Sequence, residues 1–105
     1  VRRGEIWWAD LAQPIGHRPV VLLSRDSAYS FRDKVIVAPI TGRIRNIPAE
    51  VNLGPKEGLP RTCVANLDSI NTIEKASLRE FVAMLRDEKL AELDEAIHYA
   101  LGLQR

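Results

Sequence analysis

The sequence contains a single cysteine, Cys63. No intrachain disulfide can form, and no Cys/His cluster of the structural-zinc type is present. Histidine is nearly as scarce, with only His17 and His98. General acid–base catalysis by a histidine pair needs both rings in one pocket, and a loop position and a helix position argue against that. There is no Gly-rich phosphate loop of the P-loop type, no helical zinc motif and no close carboxylate pair for magnesium. The residues call for no metal and no cofactor. No apolar run approaches the roughly 20 residues that span a bilayer, and no signal-peptide pattern opens the chain. With the lone cysteine, these absences point to a cytoplasmic protein without a membrane partner. Net charge is low as well, +1 at pH 7, so composition alone does not announce a nucleic-acid binder.

What is present is a globular composition. Apolar residues make up 46% and charged residues 28% of 105 positions, which fits one domain over residues 1–105. A chain this small gains from dimerisation. The charge is unevenly spread. Residues 1–63 carry 10 Lys/Arg against 6 Asp/Glu, and residues 64–105 carry 5 against 8. A basic front and an acidic tail imply two different faces, or ordinary solvated surface.

The patterning predicts five or six short strands and one closing helix. Glu5–Leu11, Pro19–Ser24 and Lys34–Thr41 read as strands, the last being the strongest in the chain. Pro39 cannot donate a ladder hydrogen bond, so it marks an edge, a bulge or a strand end. Gln13–His17 and Gly42–Pro48 are loops, and 25–32 is a turn or a single helical turn. Ala49–Leu53 and Thr62–Leu67 are further strands, the second expected to continue through Ile70–Ile73. Leu78–Leu85 fits helix spacing but strand length. Leu90, Leu93, Ile97 and Leu101 form one helical stripe, with Asp87 as its cap and Gly102 at its C-terminal end. Short connections favour antiparallel pairing. The expected class is α+β, mainly β: a small barrel-like antiparallel sheet with a C-terminal helix.

Arginine gathers at loops and strand ends, as Arg18, Arg25, Arg43, Arg45 and Arg61. Its planar fork of donors matches phosphate oxygens. Trp7 and Trp8 are consecutive on a strand and point to opposite faces. One is expected in the core; the other suits an interface or a base to stack on. The set is compatible with single-stranded RNA recognition.

Four segments in register carry a more specific resemblance. Gly4–Leu11 (GEIWWADL), Gly16–Ser24 (GHRPVVLLS), Val35–Thr41 (VIVAPIT) and Asn66–Ile73 (NLDSINTI) resemble successive strands of the MazF/PemK family of toxin endoribonucleases. The closing Leu101-Gly102-Leu103 is similar as well. This resemblance implies an SH3-like barrel of the CcdB/MazF type with a terminal helix, working as a homodimer, and resolves residues 81–85 as strand. It implies cleavage of single-stranded RNA at short specific sequences without a metal. The 2′-OH attacks the adjacent phosphorus, leaving a 2′,3′-cyclic phosphate and a 5′-OH. It also implies a cognate, MazE-like antitoxin lying in the RNA groove.

Carried over by position, the family's catalytic arginine falls on Arg18 and its threonine on Thr41. By residue type alone, Arg18 is equally a surface residue preceding a strand, and Thr41 a strand end. His17, Arg43, Arg45, Asp68 and Ser69 are the expected RNA-binding positions. Arg43 and Arg45 also fit a mobile basic loop, and Asp68 and Ser69 a turn. Ser24 and Asn66 are further polar residues able to face the groove. His17 is a candidate base by residue type, but if residues 17 and 18 are extended their side chains diverge. The first loop is shorter than in many family members and holds no carboxylate between Asp10 and Asp26. Two alternatives remain. A CcdB-like gyrase poison would share the fold, but such toxins rely on a C-terminal tryptophan, and both tryptophans here lie in the first strand. A non-catalytic RNA- or peptide-binding barrel is the other.

Overall fold

The computed structural model describes residues 1–103. Seven strands appear, each short and bounded by turn residues: β1 (Glu5–Asp10), β2 (His17–Leu22), β3 (Lys34–Thr41), β4 (Glu50–Leu53), β5 (Cys63–Asn66), β6 (Asn71–Glu74) and β7 (Leu78–Met84). A single α-helix follows, α1 (Asp87–Ala100). All pairings are antiparallel, in the order β4-β5-β3-β2-β1-β7, with β6 also on β3. The expected barrel is therefore an open sheet, with β4 and β7 ending the bonded path.

β3 meets three neighbours. Its first half, Lys34–Val37, pairs with β6; Val37–Pro39 pairs with β2; Ile40 and Thr41 pair with β5. Pro39 sits where β3 passes from β6 to β5. A residue without an N–H is tolerated at such a break in the ladder. The expected continuation of β5 into residues 70–73 does not occur. Asn66 Oδ1 accepts the Asp68 N–H at 2.9 Å and starts a tight turn over Leu67–Ser69. That turn sends the chain to the other half of β3 as a separate strand.

The run Val20–Leu22 is fully buried, because residues on both faces of β2 meet apolar partners. Val21 joins Ile6, Ala38, Ile40, Val51 and Leu67 beneath α1, while Val20 and Leu22 join Ala9, Val35, Val37 and Ile73 opposite. Continuous rather than alternating hydrophobicity is the signature of such a two-sided strand. Leu78–Met84 resolves as strand against β1. Neither tryptophan is fully buried: Trp7 packs against the second cluster and meets Phe81 edge-on at 5.9 Å.

On α1, Leu93 and Ala96 are buried, and Leu90 and Ile97 pack beside them. Leu101 lies past the helix and is 59% exposed, so the stripe is one residue shorter than its spacing predicts. Asp87 is the first helical residue and not the cap. Arg86 holds the cap position without a side-chain hydrogen bond, and Asp87 and Glu88 favour the helix start through the dipole.

Gly4 joins these parts. Its N–H donates to Leu22 O at 2.8 Å, its carbonyl accepts from Leu85 N at 3.0 Å, and its φ is +91°. A Cβ there would stand 2.5 Å from Leu90 Cδ2. Gly4→Ala is expected to lower the unfolding free energy by about 1–2 kcal/mol, from left-handed strain and displacement of Leu90. Urea denaturation of the two proteins measures it.

Candidate active site

Arg18 and Thr41 come together through strand register. Val20 opposes Pro39 in the β2–β3 ladder. The same register, carried two residues on, sets Arg18 opposite Thr41 on one face. Both residues border the same two clefts. One, of about 360 Å³, has an apolar lining of Trp8, Pro19, Ile40, Leu59, Pro60 and Cys63, with His17, Arg18, Thr41 and Arg61 as its polar groups. The other, of about 210 Å³, is lined by Arg18, Pro39, Thr41, Arg43, Arg45, Asn66 and Ser69. Arg18 also borders a third, with Leu11, Ser69 and Asn71. It is thus the residue common to all three.

The loop after Thr41 is tied down by hydrogen bonds, against the mobile basic loop that was one of its two readings. Glu50 Oε1 accepts the N–H groups of Arg45 at 3.0 Å and Asn46 at 2.9 Å. Thr41 Oγ1 accepts the Arg43 N–H at 3.2 Å, which leaves the hydroxyl proton free to donate outward. Among the described residues, none of Arg18, Arg43, Arg45 and Arg61 makes an ion pair. Four guanidinium groups without an internal carboxylate line connected clefts. Their chemistry matches a polyanion with regularly spaced phosphates.

At the other end of the first cleft, Asp10 opposes His17 across the β1–β2 hairpin. The loop between them closes on itself through Leu11 N and Gly16 O at 2.9 Å. Asp10 Oδ1 lies 2.8 Å from His17 Nδ1, and Asp10 Oδ2 accepts from Arg79 Nε at 2.8 Å. The His17 ring stacks on Trp8, with centroids 4.8 Å apart and planes 5° apart. The hydrogen bonds from His17 and then Arg79 hold the Asp10 carboxyl below its ordinary range. Burial pushes the Cys63 thiol up, so it stays protonated and poorly nucleophilic.

The remaining expected positions divide. Ser69 reaches two of the Arg18 clefts, and Asn66 lines one while capping its own turn. Asp68 is exposed and lines none of the three. Ser24 is buried, and its Oγ accepts the Ile36 N–H at 2.8 Å, a structural task. His98 sits far along α1, with Nδ1 2.7 Å from the Asp94 carbonyl. Asp10 and Arg79 were absent from the expected set, whereas Arg61 stood among the phosphate-matching arginines and Trp8 was one of two tryptophans able to stack on a base. The hairpin register would have exposed Asp10; Arg79 arrives from β7 with no local signal.

The described PemK-like, MazF-like toxins of type II toxin–antitoxin systems match residues 2–101. The chain belongs to this family. It is a MazF-type toxin, a kind whose relatives are named endoribonucleases. A probable endoribonuclease MazF5 from Mycobacterium tuberculosis is 38% identical over 98% of this chain and 94% of its own length. The solved M. tuberculosis toxin MazF-mt6 superposes with a TM-score of 0.89 at 31% identity, covering 96% of this chain and 99% of that one. A mycobacterial endoribonuclease in complex with its cognate antitoxin gives 0.89 at 27% identity, over 100% and 98% of the two chains. Family and fold agree with the resemblance drawn from the four segments.

The electrostatics of Asp10 carry a sign. Its folded pKa is depressed, so its contribution to stability is present above the ordinary carboxylate range. That contribution disappears as pH falls through the lowered value. Carboxyl NMR titration is expected to place Asp10 below 3.8, and Arg79→Ala should move it upward. An unshifted Asp10 would contradict the His17–Asp10–Arg79 arrangement.

Proposed function

We propose that this MazF-type toxin cuts single-stranded RNA at short specific sequences by internal attack of the ribose 2′-OH, without a metal ion. The observation that carries the reading is Arg18 facing Thr41 at the junction of clefts lined by unpaired arginines. The O2′–P bond forms as the P–O5′ bond breaks, giving a 2′,3′-cyclic phosphate and a 5′-OH. Negative charge builds on the nonbridging oxygens. The Arg18 guanidinium and the Thr41 hydroxyl stabilise it as preset donors, the hydroxyl being oriented by the bond it accepts from Arg43. Arg18 is not a base, since a guanidinium does not give up its proton in proteins.

Arg43 and Arg45 hold flanking phosphates from a loop fixed by Glu50. Ser69 reads a base from the opposite wall, and His17 contacts RNA at the rim. Asp68, outside these clefts, contributes only where the RNA extends past them. DNA lacks the 2′-OH and is not cut. The functional unit in this reading is a homodimer restrained by a cognate, MazE-like antitoxin. Resemblance to MazF toxins supports the first, and the structural match to a toxin–antitoxin complex supports the second.

Incubation of a long RNA in EDTA, with the new ends mapped, tests the reading. Wild type is expected to make discrete cuts with 5′-OH ends. Arg18→Ala and Thr41→Ala should each lose at least about 10²–10³-fold in rate, as when one charge-stabilising donor is removed. RNA protected but uncut would favour the binding barrel, and inhibition of gyrase supercoiling the CcdB-like poison.

A further inference from the structure

Among the groups lining the large cleft, His17 has the chemistry that Arg18 and Thr41 lack. Arg18 is permanently protonated and a threonine hydroxyl is a weak base, so neither takes the 2′-OH proton at neutral pH. Imidazole can, because it titrates near pH 6.5. Alternation along β2 turns His17 and Arg18 to opposite sides, as the sequence leads one to expect. Yet both border one cleft, which opens past Val20–Pro39, the last pair of the β2–β3 ladder. A nucleotide whose phosphate lies at Arg18 and Thr41 can extend its ribose toward His17.

The surroundings of His17 also choose its tautomer. Asp10 is ionised at neutral pH, since His17 and Arg79 hold its carboxyl low, and an ionised carboxylate only accepts hydrogen bonds. The contact at 2.8 Å therefore requires the proton on Nδ1. In the neutral ring Nε2 is then a bare lone pair, and it makes no hydrogen bond among the described residues. Two restraints hold the ring although its side chain is 57% exposed: the Asp10 bond and the parallel stack on Trp8. Arg79, on Asp10 Oδ2, steadies the carboxylate in turn. The other ionisable groups around the ring are Arg18 on β2, Arg61 ahead of β5, and Cys63 on β5. A carboxylate, an imidazole and a stacked indole, locked at the mouth of the cleft, form a site built for proton transfer.

Resting on the endoribonuclease reading, we infer that His17 is the general base of the cleavage and that Asp10 is its positioning residue. Nε2 takes the proton from the 2′-OH as O2′ bonds to phosphorus. The P–O5′ bond breaks with its electron pair on O5′, which takes a proton from water in the open cleft. The imidazolium then returns its proton to solvent, and the enzyme is restored.

The test is single-turnover cleavage of a synthetic RNA carrying one mapped cut, followed from pH 5 to 9. For wild type, the rate should rise with pH through the imidazole range and then level. His17→Ala should be slower by about 10²–10⁴-fold and lose that rise, and added imidazole should restore part of the rate. The same variant should bind a 2′-deoxy analogue of the cut site within about threefold of wild type, the loss of a rim contact, so that most of the rate loss falls on the chemical step. Asp10→Asn should lower kcat by at least about tenfold with KM unchanged, because an amide no longer dictates the tautomer. Far-UV circular dichroism checks that both variants are folded, as expected for exposed side chains. If His17→Ala cuts at the wild-type rate, or loses only affinity for the analogue, His17 is at most an RNA contact and the inference is overturned. If wild type itself cuts no RNA, the endoribonuclease reading falls, and this inference with it.

Discussion

The pairing of β3 with three different strands is the constraint on which the rest of the structure depends. β2 lies along its middle, while β6 and β5 share its other side, one before Pro39 and one after. This arrangement curves the sheet and leaves β3's last residue, Thr41, at the end of the β2 ladder. It also sets Arg18 across from Thr41, because both lie two residues beyond the last bonded pair. A one-residue slip in that register would turn Arg18 to the opposite face. The buried residues Val20, Val21, Leu22, Val37 and Ala38 oppose such a slip, since it would exchange the side chains packed in the two apolar clusters and break both. Core packing and site geometry are thus two results of one ladder.

Around that junction the electrostatics divide in two. Near Arg18 and Thr41 the cations are left unmatched, and Glu50 spends its carboxylate on backbone N–H groups of the loop. The unmatched guanidinium groups are therefore left able to make strong charge-assisted bonds to a phosphate ligand. Around His17 the opposite holds: its Nδ1 and both Asp10 oxygens are paired, while Nε2 makes no hydrogen bond among the described residues. Asp10 spans an imidazole and a guanidinium across three adjacent strands, β2, β1 and β7. Exposed ion pairs of this kind add little to stability. Their value here lies in orientation, which needs restricted rotation more than binding energy.

Legibility followed the distance over which each feature is determined. The continuous apolar runs of Pro19–Ser24 and Lys34–Thr41 announced strands, because burial on two faces writes itself into local composition. Gly102 and the Leu90–Ile97 spacing announced the helix end for a similar reason. The errors were also local in origin. Asn66 and Asp68 begin an Asx-type turn that resembles continuing strand until the side-chain bond is seen. Asp87 looks like a cap, but the chain enters the helix one residue earlier, at Arg86. Leu78–Leu85 was ambiguous because an apolar run of that length suits either period.

By itself, the sequence determined the strand-rich class, the closing helix and the family, and it singled out Arg18 and Thr41, which line the same two clefts. Those are properties of short segments, each with its own pattern of apolar, turn and polar residues. Only the tertiary structure decided that the sheet stays open, that Ser69 faces Arg18 while Asp68 does not, and that Asp10, His17, Trp8 and Arg79 form one cluster. Asp10 and Arg79 are 69 residues apart along the chain. No local propensity records such a contact, because it depends on β1 lying between β2 and β7, which the packing of the whole sheet decides.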